Sequence, residues 1–207
     1  MTNARTLLVA SHNQGKLCEL RELLRNLPFG LTNLADFPDI ETIEETGETF
    51  AENASLKAAG YARQARLLTL ADDSGLEVQA LGNRPGVLSA RYARLGASDQ
   101  VRTQKLLVEM SEFPVEERRA RFCCSVAVAD EAGKIIHVSN GQCEGRIALA
   151  PRGFRGFGYD PIFIPVGFEE TFAELKPETK NRISHRARAL ADACAFLRSL
   201  TAASNAG

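Results

Sequence analysis

The chain reads as an α/β protein, a long mixed β-sheet flanked by helices. Three observations predict this. Short aliphatic and β-branched runs alternate with longer segments of helical periodicity in the order βαβαβ. A Cys- and Val-rich run then meets a second apolar run across Gly133, the pattern of a β-hairpin. A last segment of helical spacing closes the chain.

Residues 6–10 form the first strand, and the polar loop Ser11, His12, Asn13, Gln14, Gly15 leads into a helix. Leu17, Leu20, Leu23, Leu24 and Leu27 give that helix one apolar face, and Pro28 and Gly30 end it. Residues 31–35 fit a second strand. Thr49 and Glu52 have the spacing of a capping box, so a helix starts there and runs to about Arg66. Residues 67–71 form a short buried strand that stops at Asp72 and Asp73, with Ser74 and Gly75 turning the chain. Gly82, Pro85 and Gly86 break residues 76–92 into short irregular pieces. Residues 98–110 form an amphipathic helix capped by Ser98, with Val101, Leu106 and Leu107 facing inward. The hairpin covers 120–129 and 134–147. Residues 151–161 are rich in Gly, Pro and aromatics, 162–164 form a strand, and the last helix spans about 184–200.

A length of 207 residues suits one well-packed domain over 1–207, with the last few residues, within 201–207, frayed. The formal net charge of −1 gives no bulk attraction to nucleic acid or an anionic membrane, so an anionic ligand needs a local cluster of Lys and Arg. The five cysteines have no C-x-x-C spacing and read as free thiols of a reducing compartment. The apolar stretch at the N-terminus is too short for a signal peptide, and nothing approaches a membrane span. A cytoplasmic protein is expected.

Polar residues of unusual type collect at a few places. Asp72 and Asp73 sit side by side at the expected carboxyl end of a strand, where α/β proteins bind ligands. Adjacent carboxylates repel, so a fold that holds both has a cation nearby. Mg²⁺ is the natural candidate because it prefers carboxylate and water oxygens. A solvated Asp-Asp-Ser-Gly turn fits the same residues. Lys16 lies in the first turn of a helix, where a cation opposes the dipole, and the loop 11–16 has the makings of a phosphate site without being a Walker A loop. Glu44 or Glu45 can join the acids, or simply stabilise the helix that follows. Asn53 and Lys57 share a helix face, and Lys57 either snorkels to the surface or is held in a cleft. Phe157, Gly158, Tyr159 and Asp160 offer close backbone approach and a ring that can stack on a base, although burial in a core is the commoner fate of Phe. Lys180 precedes Ser184, His185 and Arg186, which again put cations in a first helical turn. A local rule broken without visible compensation marks a site. Gathered around one ligand, these residues describe a site for a nucleoside triphosphate.

The wording and order of these motifs resemble the inosine/xanthosine triphosphate pyrophosphatase family. The matching pieces are residues 11–16, 44–47, 50–58, 71–76, 157–163 and 184–186, which span nearly the whole chain. The resemblance implies an α/β fold with two lobes and the active cleft between them, a homodimer, and a small-molecule substrate rather than nucleic acid. It also implies Mg²⁺-dependent hydrolysis of deaminated purine triphosphates (ITP, dITP, XTP) to the monophosphate and pyrophosphate. Carried over by motif, Ser11, His12, Asn13, Gln14, Gly15 and Lys16 contact the triphosphate. Glu44 and Asp73 hold the metal, with Asp73 also the proton acceptor for the attacking water and Asp72 and Lys57 beside it. Asn53 and Ser74 touch the substrate, Phe157, Gly158, Tyr159 and Asp160 clasp the nucleoside, and Lys180, His185 and Arg186 complete the contacts. His12 and Leu88 depart from the common pattern of the family. Two other functions remain open: a related pyrophosphatase acting on other modified nucleotides, and a nucleotide-binding regulatory module without turnover.

Overall fold

In the computed structural model, residues 5–94 and 96–204 are described. The chain runs β1 (Thr6–Val9), α1 (Gln14–Leu24), β2 (Gly30–Asn33), α2 (Phe50–Ala65), β3 (Leu68–Val78), β4 (Arg84–Pro85), α3 (Asp99–Glu109), β5 (Arg119–Ala129), β6 (Ile135–Ile147), β7 (Phe163–Pro165), α4 (Pro177–Ile183) and α5 (His185–Ser204). The sheet order is β2-β1-β3-β5-β6-β7, with β4 paired to β3. β1 is parallel to β2 and β3, whereas β4 is antiparallel to β3 and β7 to β6, so the sheet is mixed as the sequence predicts.

The residues divide into two compact units. Of the described residues, the first holds 5–73, 124–141 and 186–204, and the second holds 74–94, 96–123 and 142–185. β3, β5 and β6 each contribute residues to both.

The first unit buries apolar side chains in two clusters. Leu17, Leu20 and Leu24 of α1 and Ala189, Leu190, Ala193 and Leu197 of α5 pack with Leu7, Val9, Leu68, Leu70 and Val126. Ala54, Ala58, Tyr61 and Ala62 of α2 pack with Leu8, Ala71 and Ala127. The near-continuous apolar runs of β1 and the start of β3 follow from this: a parallel strand with both faces covered has no polar face to show. The second unit has one core, in which Leu106 and Met110 meet Leu76, Phe122, Phe163 and Phe172.

The capping box at Thr49 is present, with Thr49 Oγ1 accepting from Glu52 N–H at 3.1 Å and Glu52 Oε2 accepting from Thr49 N–H at 3.3 Å. Ser98 caps α3 through Val101 N–H. Several expectations are corrected. β3 does not stop at Ala71 but passes straight through Asp72, Asp73, Ser74 and Gly75 to Val78. A charged pair ends a strand only where nothing compensates it, and here compensation comes from remote cations. Val101 is exposed and Thr103 takes the buried position on α3. The stretch after Gly133 is a single strand, as the hairpin reading allows. α4 precedes the last helix, and α5 continues beyond Leu200 to Ser204. The fraying expected at the chain end lies, for residues 205–207, outside the described residues. All five cysteines are free. Among the described residues no helix is long and apolar enough to cross a membrane.

Candidate active site

Asp72 and Asp73 are neighbours on β3, and both carboxylates are buried in the first unit, where they meet different partners. Asp72 Oδ2 accepts from Arg186 Nε at 3.2 Å and Nη2 at 3.1 Å, and Lys16 Nζ lies 3.2 Å from the same oxygen. Cys124 Sγ approaches it to 3.9 Å, and burial pushes that thiol up to about 12, so it stays protonated. Burial alone would raise the Asp72 carboxyl, but Lys16, Arg186 and Lys57 outweigh it and hold Asp72 well below the ordinary carboxylate range. Asp72 is therefore a fixed anion.

Asp73 is the opposite case. Burial raises it, Lys57 and Lys16 only partly offset that, and Glu45 and Asp72 push it further up. Lys57 Nζ sits 2.5 Å from Glu45 Oε1 and 3.5 Å from Asp73 Oδ1. Burial opposes the Lys57 charge, but Asp73, Asp72 and Glu45 together raise its ammonium above the ordinary value. Lys57 is thus held inside by acids rather than snorkelling. Two adjacent carboxylates are driven apart in proton affinity by their surroundings, the pattern of groups with different chemical jobs.

The cations that violate the helix-dipole rule are explained here. Lys16, in the first turn of α1, and Arg186, in the first turn of α5, both end on Asp72. The cost of each placement, about a few tenths of a kcal/mol, is small beside a buried ion pair. Arg186 is 1 % exposed, and its Nη1 donates to Glu19 Oε2 at 2.5 Å. Its guanidinium is bound on two sides by protein carboxylates, which makes it a brace for Asp72. Glu19 follows Lys16 by three residues on α1, so both reach from one helix face.

The loop before α1 is ordered by its own side chains. Asn13 caps the helix by accepting from Lys16 N–H at 3.0 Å, and Ser11 Oγ accepts from Asn13 N–H at 3.2 Å. Gln14 and His12 are exposed, and His12 Nε2 lies 3.4 Å from the Tyr61 hydroxyl. Gly15 is half-buried. Asn53 Oδ1 accepts from Gly47 N–H at 2.8 Å, which ties the segment before α2 to that helix. Beyond that tie Glu45 pairs with Lys57, and Glu44 beside it is exposed.

The second unit assembles the remaining residues. Lys180 is buried with its amine on Asp160 Oδ2, and it lies 5.1 Å from the Phe157 ring centroid and 5.5 Å from that of Phe172. Asp160 Oδ2 also accepts from Phe157 N–H at 2.9 Å. His185, 4 % exposed, stacks on Phe122 with centroids 4.6 Å apart and planes 8° from parallel. The Phe157 ring is half-buried, and Gly158 beside it has φ of +61°. Tyr159 is buried, and its hydroxyl donates to the Ser89 carbonyl at 3.0 Å. Ser74 is half-buried at the start of this unit. Gly156 has φ of +72°, and a Cβ there would overlap Asp160 Oδ2. Gly156→Ala is expected to lower stability by about 1–3 kcal/mol through αL strain and this overlap, measurable by urea melts.

Sequence reasoning missed Glu19, the pairing of Glu45 with Lys57, Cys124 and Phe122. Only Glu19 carried a readable signal, its spacing from Lys16.

The donor set fits a hard divalent cation. Asp72 Oδ1 and Asp73 Oδ2 are buried carboxylate oxygens without a hydrogen-bond partner, and such oxygens are what Mg²⁺ binds. No group of three or more His, Cys, Asp or Glu among the described residues is arranged to hold a metal on its own. That is compatible with Mg²⁺, which commonly takes one or two carboxylates and completes its shell with water and phosphate.

Comparison with known proteins identifies relatives over nearly the whole chain. A dITP/XTP pyrophosphatase of Bacillus cereus is 48% identical over 191 residues, covering 92% of this chain and 93% of that protein. One of Geobacter sulfurreducens is 49% identical over 185 residues, covering 89% and 92%. The solved structure of a HAM1 protein from Coxiella burnetii matches with a TM-score of 0.85 at 43% identity, over 94% of this chain and 99% of that one. The Ham1 family model matches residues 7–196. With that span matched and relatives of this identity along nearly all of it, the chain belongs to the Ham1 family.

Proposed function

We propose that the protein is a nucleoside triphosphate pyrophosphatase that hydrolyses deaminated purine nucleotides, ITP, dITP and XTP, to the monophosphate and pyrophosphate. The carrying observation is the split between the two acids: Asp72 fixed as an anion by Lys16 and Arg186, and Asp73 buried, raised and with Oδ2 unpartnered. The relatives named dITP/XTP pyrophosphatase support the substrate class.

In this reading water attacks between the α and β phosphates, and its proton passes to the Asp73 carboxylate. Asp72 is unsuited to that task because Lys16, Arg186 and Lys57 hold it well below the ordinary carboxylate range, which makes it the weaker base. Lys16 and Lys57 offset the charge of the phosphates, and the loop 11–15 offers backbone N–H groups at the start of α1. Asp73 and Glu44 would hold Mg²⁺, which supplies charge neutralisation on the phosphate oxygens when bound, with Glu45 beside them on Lys57. In the second unit Phe157 stacks on the base. His185, its ring plane set by Phe122, and Lys180 present donors to a 6-oxo purine. Adenine reverses the donor and acceptor pattern at that edge, which leaves buried groups unpaired. A homodimer acting in the cytoplasm as one catalytic domain, without nucleic acid or membrane partners, completes the proposal.

A panel of nucleoside triphosphates, with pyrophosphate and orthophosphate measured separately and Mg²⁺ added or chelated, tests it. The expected result is pyrophosphate from ITP, dITP and XTP, with kcat/KM for ATP lower by about 10²-fold or more. Equal kcat/KM for ATP and ITP rejects the base reading, and binding without any pyrophosphate release rejects the enzyme.

A further inference from the structure

Consecutive residues of the Gly-rich loop are tied down by separate partners. Phe157 N–H donates to Asp160 Oδ2 at 2.9 Å, Gly158 N–H to Asp99 Oδ2 at 2.7 Å, and the Tyr159 hydroxyl to the Ser89 carbonyl at 3.0 Å. Asp160 and Tyr159 belong to the loop itself. Asp99 comes from the first turn of α3, 59 residues away in sequence. An acid in a first helical turn ordinarily serves the free N–H groups of its own helix. Here its Oδ2 is given to another segment. The other oxygen is held as well: Asp99 Oδ1 accepts from Arg102, whose Nη1 donates to the carbonyls of Ala90, at 3.0 Å, and Ala97. The carboxylate is therefore oriented from behind and presented to a single amide. A charge-assisted bond of this length is among the stronger hydrogen bonds a loop can receive.

We propose that Asp99 is a positioning residue for base recognition. By fixing the Gly158 amide it sets the peptide that follows Phe157, and with Asp160 on the other side it holds the Phe157 ring ready to stack. The inference rests on the reading of Phe157 as the base-stacking ring. Asp99 itself touches neither base nor phosphate in this account. Loosening the loop leaves the chemistry of Asp73 alone and adds an ordering cost to binding, so the effect falls on KM rather than kcat.

The test compares the full-length protein with Asp99→Ala and Asp99→Asn. Steady-state kinetics on dITP are combined with hydrogen exchange at the Gly158 amide, followed by NMR without substrate. Asp99→Ala is expected to raise KM about tenfold with kcat within about twofold, and to speed Gly158 exchange. Asp99→Asn keeps an oxygen that can accept from Gly158, so it is expected to restore slow exchange and a KM within about threefold of the starting value. An unchanged KM in Asp99→Ala despite faster exchange overturns the proposal. So does an equal loss of kcat and thermal stability in both variants, which marks a purely structural residue. Failure of the base reading looks different: the unaltered protein then shows no preference for dITP over ATP, while the exchange result still reports whether Asp99 holds the loop.

Discussion

Asp73→Asn is expected to reduce kcat for dITP or XTP by about 10²–10⁴-fold, the range for loss of a general base, while the protein stays folded. The reason lies in the opposite behaviour of the adjacent acids. Burial raises Asp73, so its charge is a cost to the folded state at neutral pH. Neutralising it with an isosteric amide relieves that cost, and Lys57 keeps Glu45 as a partner at 2.5 Å. Thermal melts should therefore show a Tm that is unchanged or higher, together with the kinetic loss. A variant that turns over near the normal rate removes Asp73 from the role of proton acceptor. Gain of stability with loss of activity is the usual signature of a site kept under electrostatic strain for function.

Arg186→Met is expected to act the other way, with a loss of about 3 kcal/mol of stability measurable in urea, because it leaves the buried Asp72 with Lys16 in place of two cations and takes the guanidinium from Glu19. Against a typical total of about 5–15 kcal/mol this is a large share. Adding Asp72→Asn should recover part of the loss, since the double variant no longer buries an under-compensated anion at that position, and the departure from additivity measures the pair. The sign of the pH dependence follows from the same contacts. Burial resists the Asp72 charge, but Lys16, Arg186 and Lys57 overcome it and lower its proton affinity in the folded state. Its contribution is thus fully present above the ordinary carboxylate value of about 3.9 and is lost as the pH falls through the lower folded value. Asp73, raised in the folded state, contributes the opposite slope, with stability declining as the pH rises from about 3.9 through its folded value.

Much of this site was readable before any fold was known. The capping box at Thr49, the cap at Ser98 and the aliphatic runs of β1 and β3 obey local rules, and local rules are what a sequence displays. Lys16 and Arg186 were readable for the reverse reason, because each breaks a local rule whose compensation had to come from elsewhere. What stayed hidden depends on long-range partners. Asp72 reads as the end of a strand because the Arg186 that neutralises it lies 114 residues away. Glu45 is drawn to Lys57, a pairing set by the fold that adjacency of Glu44 and Glu45 in sequence does not display. Val101 has the spacing of an inward residue but falls at the exposed edge of α3.

The chain passes from the first unit to the second between Asp73 and Ser74 and between Gly141 and Gln142, and from the second back to the first between Cys123 and Cys124 and between His185 and Arg186. Residues that would read the base therefore sit on two contiguous inserts, 74–123 and 142–185, whereas the acids and lysines assigned to the phosphates lie outside them. On the proposed assignment, swapping the insert pair for a relative's is expected to exchange the nucleobase preference as a cassette, with the proposed hydrolytic residues left in their own stretches of chain.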